Sequence, residues 1–450
     1  MIERFRPFVA PVYLILCLVA GGSSQGYWGN ALLRILAIVI IAWALIERSD
    51  RPVPRGMKQL FLLAGLGIGL GIVQLIPIPT EIWASLAGRG QFVDGFRLLG
   101  VDPGFMPISL VPYDTIAALL ALLPPAAVVA ALVGLRGYNK GLLAAGLIVG
   151  TMLAVLLGIL QVTSADPPNS PWYLYERTNH GLATGFFANS NHMASLLLVT
   201  IPFIVALGVT VRKRAKDARL GPAVLAVVGG AVLVAILGLF LNGSLAGYGL
   251  VLPVALASLL MLVGVRASIV RLVLAVAGVG SLAALAVLWA SPVNQDAATS
   301  VSSRQAILVN SMELIREFGP VGTGLGTFEK GYRLSEQPSA VDRYFVNHAH
   351  DDYLELAIET GLPGIALLLL FLAWWVRSVW QMLKSPDADE FAYSGAIASA
   401  ALLLHSAVDY PLRNAAMSAV FAMCLTFIVV SRRAARGKTD LRPARHVVVG

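Results

Sequence analysis

Apolar runs of about 20 residues recur along the whole chain, each long enough to cross the ~30 Å hydrocarbon core of a bilayer. With 450 residues, a mean hydropathy of +0.77 and only 13% charged residues, no soluble fold could hide so much apolar surface. The residue-by-residue alternation of a transmembrane barrel strand is absent, so the expected fold class is an all-α polytopic membrane protein. Twelve spans are read, near 7–22, 30–46, 59–78, 114–134, 141–162, 191–211, 221–241, 246–264, 271–291, 362–382, 392–409 and 415–431. They divide the chain into nine helices with shorter outer loops (1–291), one large helical outer loop (292–361), three further helices (362–431) and a basic tail (432–450).

The net charge of +8 invites a search for a polyanion partner, but its distribution argues otherwise. With the N-terminus inside, 23 of the 33 basic residues fall on the inner segments. The positive-inside rule accepts that orientation and rejects its inverse. The basic excess is therefore a topology signal, and no nucleic-acid partner is expected. A cleaved leader over residues 1–22 is the alternative for the first span, and its removal would leave later orientations unchanged. The two cysteines, Cys17 and Cys424, lie in apolar runs, so neither a disulfide nor a metal site is expected from them.

Three outer segments are long: 79–113, 163–190 and 292–361. The last is taken as the only one large enough for structure of its own. A helix is predicted over Ser303–Phe318 from the spacing of Ile307, Leu308, Met312, Leu314 and Ile315, and the glycine-rich run 319–326 stops it. A shorter helix is predicted from His350 to Thr360, ended by Gly361. Gly65, Gly67, Gly69 and Gly71 are read as a surface for close helix packing, and Pro124 with Pro125 as a kink in the fourth span.

Polar residues in a bilayer are costly, so their depth is informative. Arg34, Gln74, Gln161, Asn191, His192, Asn242, Ser244, His405 and Asp409 all sit near the outer ends of spans, while the inner halves are nearly dry. Two readings follow: solvation of helix ends, or a polar chamber open to the outer face. Within 348–359 the chain also gathers His348, His350, Asp351, Asp352, Glu355 and Glu359, directly before a long apolar run. The loop 292–361 further keeps Arg304, Arg316, Lys330, Arg333 and Arg343 outside against the topogenic bias. An arginine fork suits a phosphate; a salt bridge to nearby carboxylates is the plainer alternative.

These segments resemble the bacterial O-antigen ligase and polymerase superfamily. Ala349-His350-Asp351-Asp352-Tyr353-Leu354, followed by Glu359, Gly361 and Gly364, is similar to its histidine motif. Gly185-Phe-Phe-Ala-Asn-Ser-Asn-His-Met-Ala194 resembles its asparagine segment at the mouth of a span, which carries Asn189, Asn191 and His192. Ser303-Arg304, leading to Gly322-Thr-Gly-Leu-Gly-Thr-Phe328, resembles its arginine helix and glycine turn. His405-Ser406 through Asp409 to Arg413 is similar to a late segment of exopolysaccharide-type members. The likeness covers about residues 140–430. One departure is Leu245, where members carry an arginine.

The resemblance implies a GT-C-like, metal-independent and cofactor-free inverting glycosyltransferase of the bacterial inner membrane, with both termini cytoplasmic and the active site facing the periplasm. Its donor would be a glycan on undecaprenyl diphosphate. Its acceptor would be a growing polysaccharide or a lipid A core. His350 is then the general base and Tyr353 its helper. Arg304 contacts the donor diphosphate, with Arg177, Arg343 or Arg413 standing in for the arginine missing at Leu245. Asn189, Asn191, His192, His348, Asp351, Asp352, His405 and Asp409 are expected to line the substrate chamber.

From the residues alone, a histidine suits the task because its unperturbed pKa of about 6.5 lies near neutrality. Asp351, Asp352, Glu355 and Glu359 are the nearby carboxylates that could hold its ring, Glu359 being assigned a structural role. On a helix, His350 would share a face with Tyr353. His348 is read as a local hydrogen-bond partner, and a divalent cation on Asp351, Asp352 and His348 is the competing arrangement. A transporter of lipid-linked glycans and a non-catalytic assembly subunit are the readings from other classes.

Overall fold

The computed structural model describes residues 5–24, 26–47, 52–135, 138–214, 220–263, 295–336 and 346–430. The chain opens with α1 (Arg6–Ala20), α2 (Trp28–Ile46) and α3 (Arg55–Leu75). An outer excursion follows, with strand β1 (Pro77–Pro79), helices α4 (Thr80–Ala84) and α5 (Gly90–Leu99), and strand β2 (Phe105–Pro107). Next come α6 (Pro112–Leu120), α7 (Leu123–Gly134), α8 (Lys140–Val162), α9 (Ser190–Arg214), α10 (Leu220–Asn242) and α11 (Leu245–Val263). The remainder is α12 (Gln295–Phe318), α13 (Phe328–Ser335), α14 (Asp352–Leu383), α15 (Glu390–His405) and α16 (Ala415–Val430).

Seven described segments are long and apolar enough to cross a membrane: α2, α3, α6 with α7, α8, α9, α10 and α14. The apolar helices α1 and α16 and the apolar stretch Leu245–Met261 of α11 are shorter, and α15 has 16 residues. These elements overlap eleven of the twelve expected spans. The ninth, 271–291, lies outside the described residues.

Helix α9 is apolar on all sides, which is the pattern of a buried helix. It packs against α8, α10, α11 and α15, with Leu196, Leu197 and Phe203 at 0% exposure. Buried hydroxyls join neighbouring helices: Thr151 meets Thr200 at 2.8 Å, and Ser394 donates to the Pro202 carbonyl at 2.8 Å. At the opposite end from the site described below, ion pairs link helix ends. Arg6 holds Glu47 at 2.7 Å, Lys140 holds Asp389 at 2.5 Å, and Lys213 pairs with Glu390.

The fourth span is interrupted at Ala121–Leu122, immediately ahead of the two prolines, which sit in the first turn of α7 where no amide donor is needed. Among the described residues, the glycine surface on α3 meets a neighbour at one position only. A Cβ at Gly65, Gly67 or Gly69 would meet no described atom within 4 Å, and only Gly71 lies close to a neighbour, at Leu119.

The outer segment 79–113 is a correction, because it is structured rather than a plain connection. β1 and β2 pair antiparallel, with Ile78 opposite Met106. Trp83 is buried and donates to the Pro107 carbonyl at 2.8 Å. Arg89, 1% exposed, reaches the carbonyls of Ile108 (2.7 Å) and Gly322 (3.1 Å) between the rings of Trp83 and Phe318. This excursion is thereby tied to the glycine turn after α12. A small outer core forms around them from Ile307, Leu314, Phe318, Phe328, Tyr332, Ala349 and Ile358. Ile307, Ser311, Leu314 and Phe318 are buried at helical spacing, whereas Met312 is exposed.

Candidate active site

The site lies where four pieces of chain converge: the α1–α2 turn, the start of α9, residues 346–360, and the turn 406–414 after α15. Asp351 is extended and caps α14, accepting from the amides of Tyr353 (2.9 Å) and Leu354 (3.0 Å). The helix therefore begins at Asp352, and His350 stands outside it. His350 has φ of 53°, alone among the described non-glycine residues. That left-handed conformation costs an ordinary side chain about 1 kcal/mol or more and recurs at functional sites. The expected face shared by His350 and Tyr353 is thus not formed.

Instead, the turn throws the ring of His350 toward the end of α15. Its Nδ1 lies 3.2 Å from Asp409 Oδ1, which also accepts from the Tyr410 amide at 2.9 Å. The carboxylate that orients His350 is therefore distant in sequence, and none of its near neighbours fills that place. Burial by itself would raise the pKa of Asp409. The hydrogen bond from His350, with the fields of His350, His192 and His405, outweighs it and holds the carboxyl well below the usual range.

His348, two residues earlier, has its own carboxylate. Its Nδ1 lies 2.8 Å from Glu355 Oε1, and its Nε2 lies 3.1 Å from Ser24 Oγ. The ring stacks on Tyr410 at 3.9 Å between centroids. His192 and His350 approach the same tyrosine edge-on, and Asn189 donates to its hydroxyl at 3.3 Å.

Arg413 lies beneath this layer. Its Nε is 2.9 Å from Glu355, its Nη1 3.0 Å from Glu359, and Asp352 lies 3.5 Å away. Burial lowers an arginine's pKa, but Glu355, Glu359 and Asp352 together raise that of Arg413. Asp352 also accepts from Ser406 Oγ at 2.8 Å, and its amide donates to the Ser406 carbonyl at 2.9 Å. With Asp351 turned to helix amides and Asp352 to Ser406 and Arg413, the competing cation arrangement with His348 is not assembled.

A cavity of about 720 Å³ opens beside these groups. Arg34, Asp114, Arg177, Lys330, His348 and Arg413 contribute to its polar wall; Ala121, Leu122, Pro125, Leu368 and Phe371 form an apolar wall between membrane helices. Of the expected site residues, Tyr353, His348, Asp352, Arg177 and Arg413 line it. Tyr353 donates its hydroxyl to the Leu403 carbonyl at 2.6 Å. His350, Asn189, Asn191, His192, Asp351, His405 and Asp409 are not among the residues that line it; His350 lies next to the lining His348 across the Tyr410 ring, with 28% of its side chain exposed. Arg304 is off the wall too, close enough for its charge to act on His405. Arg343 lies outside the described residues.

Several residues expected to line a chamber serve the backbone instead. Gln74 donates to the Glu359 carbonyl at 2.9 Å and accepts from the Leu325 amide at 2.9 Å. Gln161 accepts from the Thr184 and Gly185 amides, and Asn242 donates to the carbonyls of Ala183 and Ser190. Ser195 holds His405 Nδ1 at 2.8 Å. Both ring nitrogens of His192 are buried without a partner among the described residues. Ser24 carried no signal, since a serine in a Gly-Gly-Ser-Ser turn reads as a connection. Glu355 was visible as one of four neighbouring carboxylates, but nothing local marked it as the partner of His348.

Residues 230–369 match the family model for O-antigen ligase. The resemblance to the O-antigen ligase and polymerase superfamily accordingly holds over a stretch that contains Arg304, His348, His350 and the first half of α14. No curated protein matches the chain.

Proposed function

From the O-antigen ligase match and the shape of the cavity, we propose that this chain transfers a glycan from undecaprenyl diphosphate to a sugar hydroxyl on the periplasmic face of the inner membrane. The cavity carries this reading. It joins an apolar slot between α7 and α14 to a charged outer wall. On that wall Lys330 and Arg413 are paired to carboxylates and Arg34 and Arg177 are the further cations, an arrangement that suits a lipid tail joined to a phosphate headgroup. Arg34 and Arg177 are the arginines on that wall assigned to the diphosphate, where a planar donor fork suits paired phosphate oxygens. Arg413 is answered by three carboxylates and holds the floor of the site in place, in contrast to the donor role expected for it.

In this mechanism His350, aligned by Asp409, takes the proton from the acceptor hydroxyl as its oxygen attacks the anomeric carbon. The bond from the anomeric carbon to the diphosphate oxygen breaks with inversion, and the departing lipid diphosphate, which gains a third negative charge with the bond's electron pair, is stabilised by the arginines. A diphosphate needs no proton to leave, so one base suffices. Metal independence belongs to this proposal as well.

The test uses purified protein in lipid discs with an undecaprenyl-diphosphate oligosaccharide, with and without a lipid A–core acceptor, beside His350→Ala. A ladder from donor alone identifies a polymerase, and product only with lipid A–core identifies a ligase. Loss of either product in His350→Ala supports the base assignment. Wild type inert with both acceptors overturns the reading.

A further inference from the structure

The proposed transfer uses His350 and leaves a second histidine unexplained: His348, which faces the cavity and is held as firmly. Glu355 accepts from its Nδ1 at 2.8 Å, and Ser24 Oγ lies 3.1 Å from its Nε2. Glu355 is itself at 0% exposure and anchored by Arg413 at 2.9 Å and by the Ala349 amide at 3.1 Å. Ser24 is equally constrained. A Cβ at Gly22 would lie 2.0 Å from the Phe186 carbonyl oxygen, so this turn lies directly against the segment that opens α9. The Gly22 carbonyl accepts from Ala188 at 3.1 Å, and that of Gly21 from Ala416 at 3.1 Å. Carboxylate, imidazole and hydroxyl therefore form a fixed chain that ends on the cavity wall, where both Ser24 and His348 are exposed to the occupant.

With Nδ1–H donated to Glu355, the Nε2 lone pair of the neutral ring accepts the Ser24 hydroxyl proton. The serine oxygen keeps its own lone pairs, turned to accept from a further O–H. Each hydrogen bond in such a chain polarises the next. The same three residue types could activate a serine nucleophile. Here that would yield an O-glycosyl serine, an acetal whose serine alkoxide leaves far less readily than a diphosphate, so the chain suits recognition better than covalent catalysis.

Resting on the transfer reading above, we propose that Ser24 and His348 form a sugar-hydroxyl subsite that positions one glycan in the cavity. Its ligand is an equatorial or axial O–H of a sugar ring, on either the acceptor or the donor glycan. His348 and Ser24 are positioning residues, and the proton transfer remains with His350.

The experiment takes the full chain in lipid discs, with the lipid-linked oligosaccharide that accumulates in its host when the gene is deleted. Initial rates are measured with donor and acceptor each varied in turn. Ser24→Ala, which removes one oxygen from a partly exposed turn, and His348→Phe, which keeps the stacking on Tyr410, should each raise the KM of one substrate about tenfold. Their kcat at saturation should stay within about twofold, the signature of lost uniform binding. Ser24→Thr should restore the KM. The substrate whose KM rises tells whether the hydroxyl belongs to acceptor or donor. A fall in kcat to the level of His350→Ala with KM unchanged overturns the subsite and makes His348 the base. Unaltered kinetics in both variants overturn it too. An inert wild type removes the transfer reading, and the subsite with it.

Discussion

At Arg413 a single guanidinium answers Glu355, Glu359 and Asp352, and each of these residues has a further contact. Glu355 holds His348, the Glu359 carbonyl is bonded by Gln74, and Asp352 joins α14 to the turn after α15. Removing one member of such a buried set costs more than the interaction itself, because the remaining charges are stranded away from water. Arg413→Met should therefore destabilise the fold by about 3–5 kcal/mol, read as a lowered unfolding temperature in detergent. Glu359→Gln, which keeps a hydrogen-bonding group opposite Arg413, should cost less than half as much in the same measurement. Equal stability of wild type and Arg413→Met would mean that the cluster is solvated. The assignment of Arg413 to structure, and of the diphosphate to Arg34 and Arg177, depends on this difference.

At the scale of elements, α14 is two helical pieces joined at Gly361, whose φ of 59° and ψ of −150° interrupt the helix. The break lets the outer piece, Asp352–Thr360, lie against the glycine turn while the inner piece enters the membrane bundle. The fit is close on both sides. A Cβ at Gly361 would stand 1.9 Å from the Pro320 carbonyl oxygen, and the Thr323 amide donates to the Ile358 carbonyl at 3.0 Å. Gly361→Ala combines a forbidden backbone region with a backbone clash, so it should free the outer pieces and sharply increase proteolysis between α12 and α14. Gly67→Ala is the control: its Cβ meets no described atom within 4 Å on a regular helix, where alanine is favoured by about 0.5–1 kcal/mol. That variant should resist the same protease at least as well as wild type.

Across the whole molecule, polar order gathers at two ends. Lysine and arginine ion pairs fasten the helix ends on one side, and the histidine and carboxylate layer with its structured outer loops lies on the other. The charge rule assigns the first end to the cytoplasm. The native cysteines give little background for a labelling test, since Cys17 and Cys424 are both buried. A cysteine at Leu98, which is 89% exposed on α5, should react with an impermeant thiol reagent in intact cells. One at Arg214, at the other end of α9, should react only after lysis. The reverse pattern would place the cavity mouth in the cytoplasm, where no lipid-linked glycan awaits transfer in the proposed scheme.

Length and hydropathy were enough to establish the membrane class and to locate most helices, because a bilayer admits few backbone solutions and each needs a long apolar run. The cluster 348–359 and the segment 405–413 were also visible, since charged groups near a span are rare enough to stand out. Their pairing was not. His350 meets Asp409, 59 residues away, and His348 meets Ser24, 324 residues away. No local periodicity encodes such contacts; they exist only once α1, α9, α14 and α15 have packed. The same holds for Gln74 and Gln161, whose depth was legible, and for Arg413, since their partners are backbone or carboxylates supplied by other elements. Side-chain identity told which groups could act as base, clamp or cap. Which of them face the cavity was decided by a left-handed turn at His350, a break at Gly361 and the close packing of glycines against distant backbone.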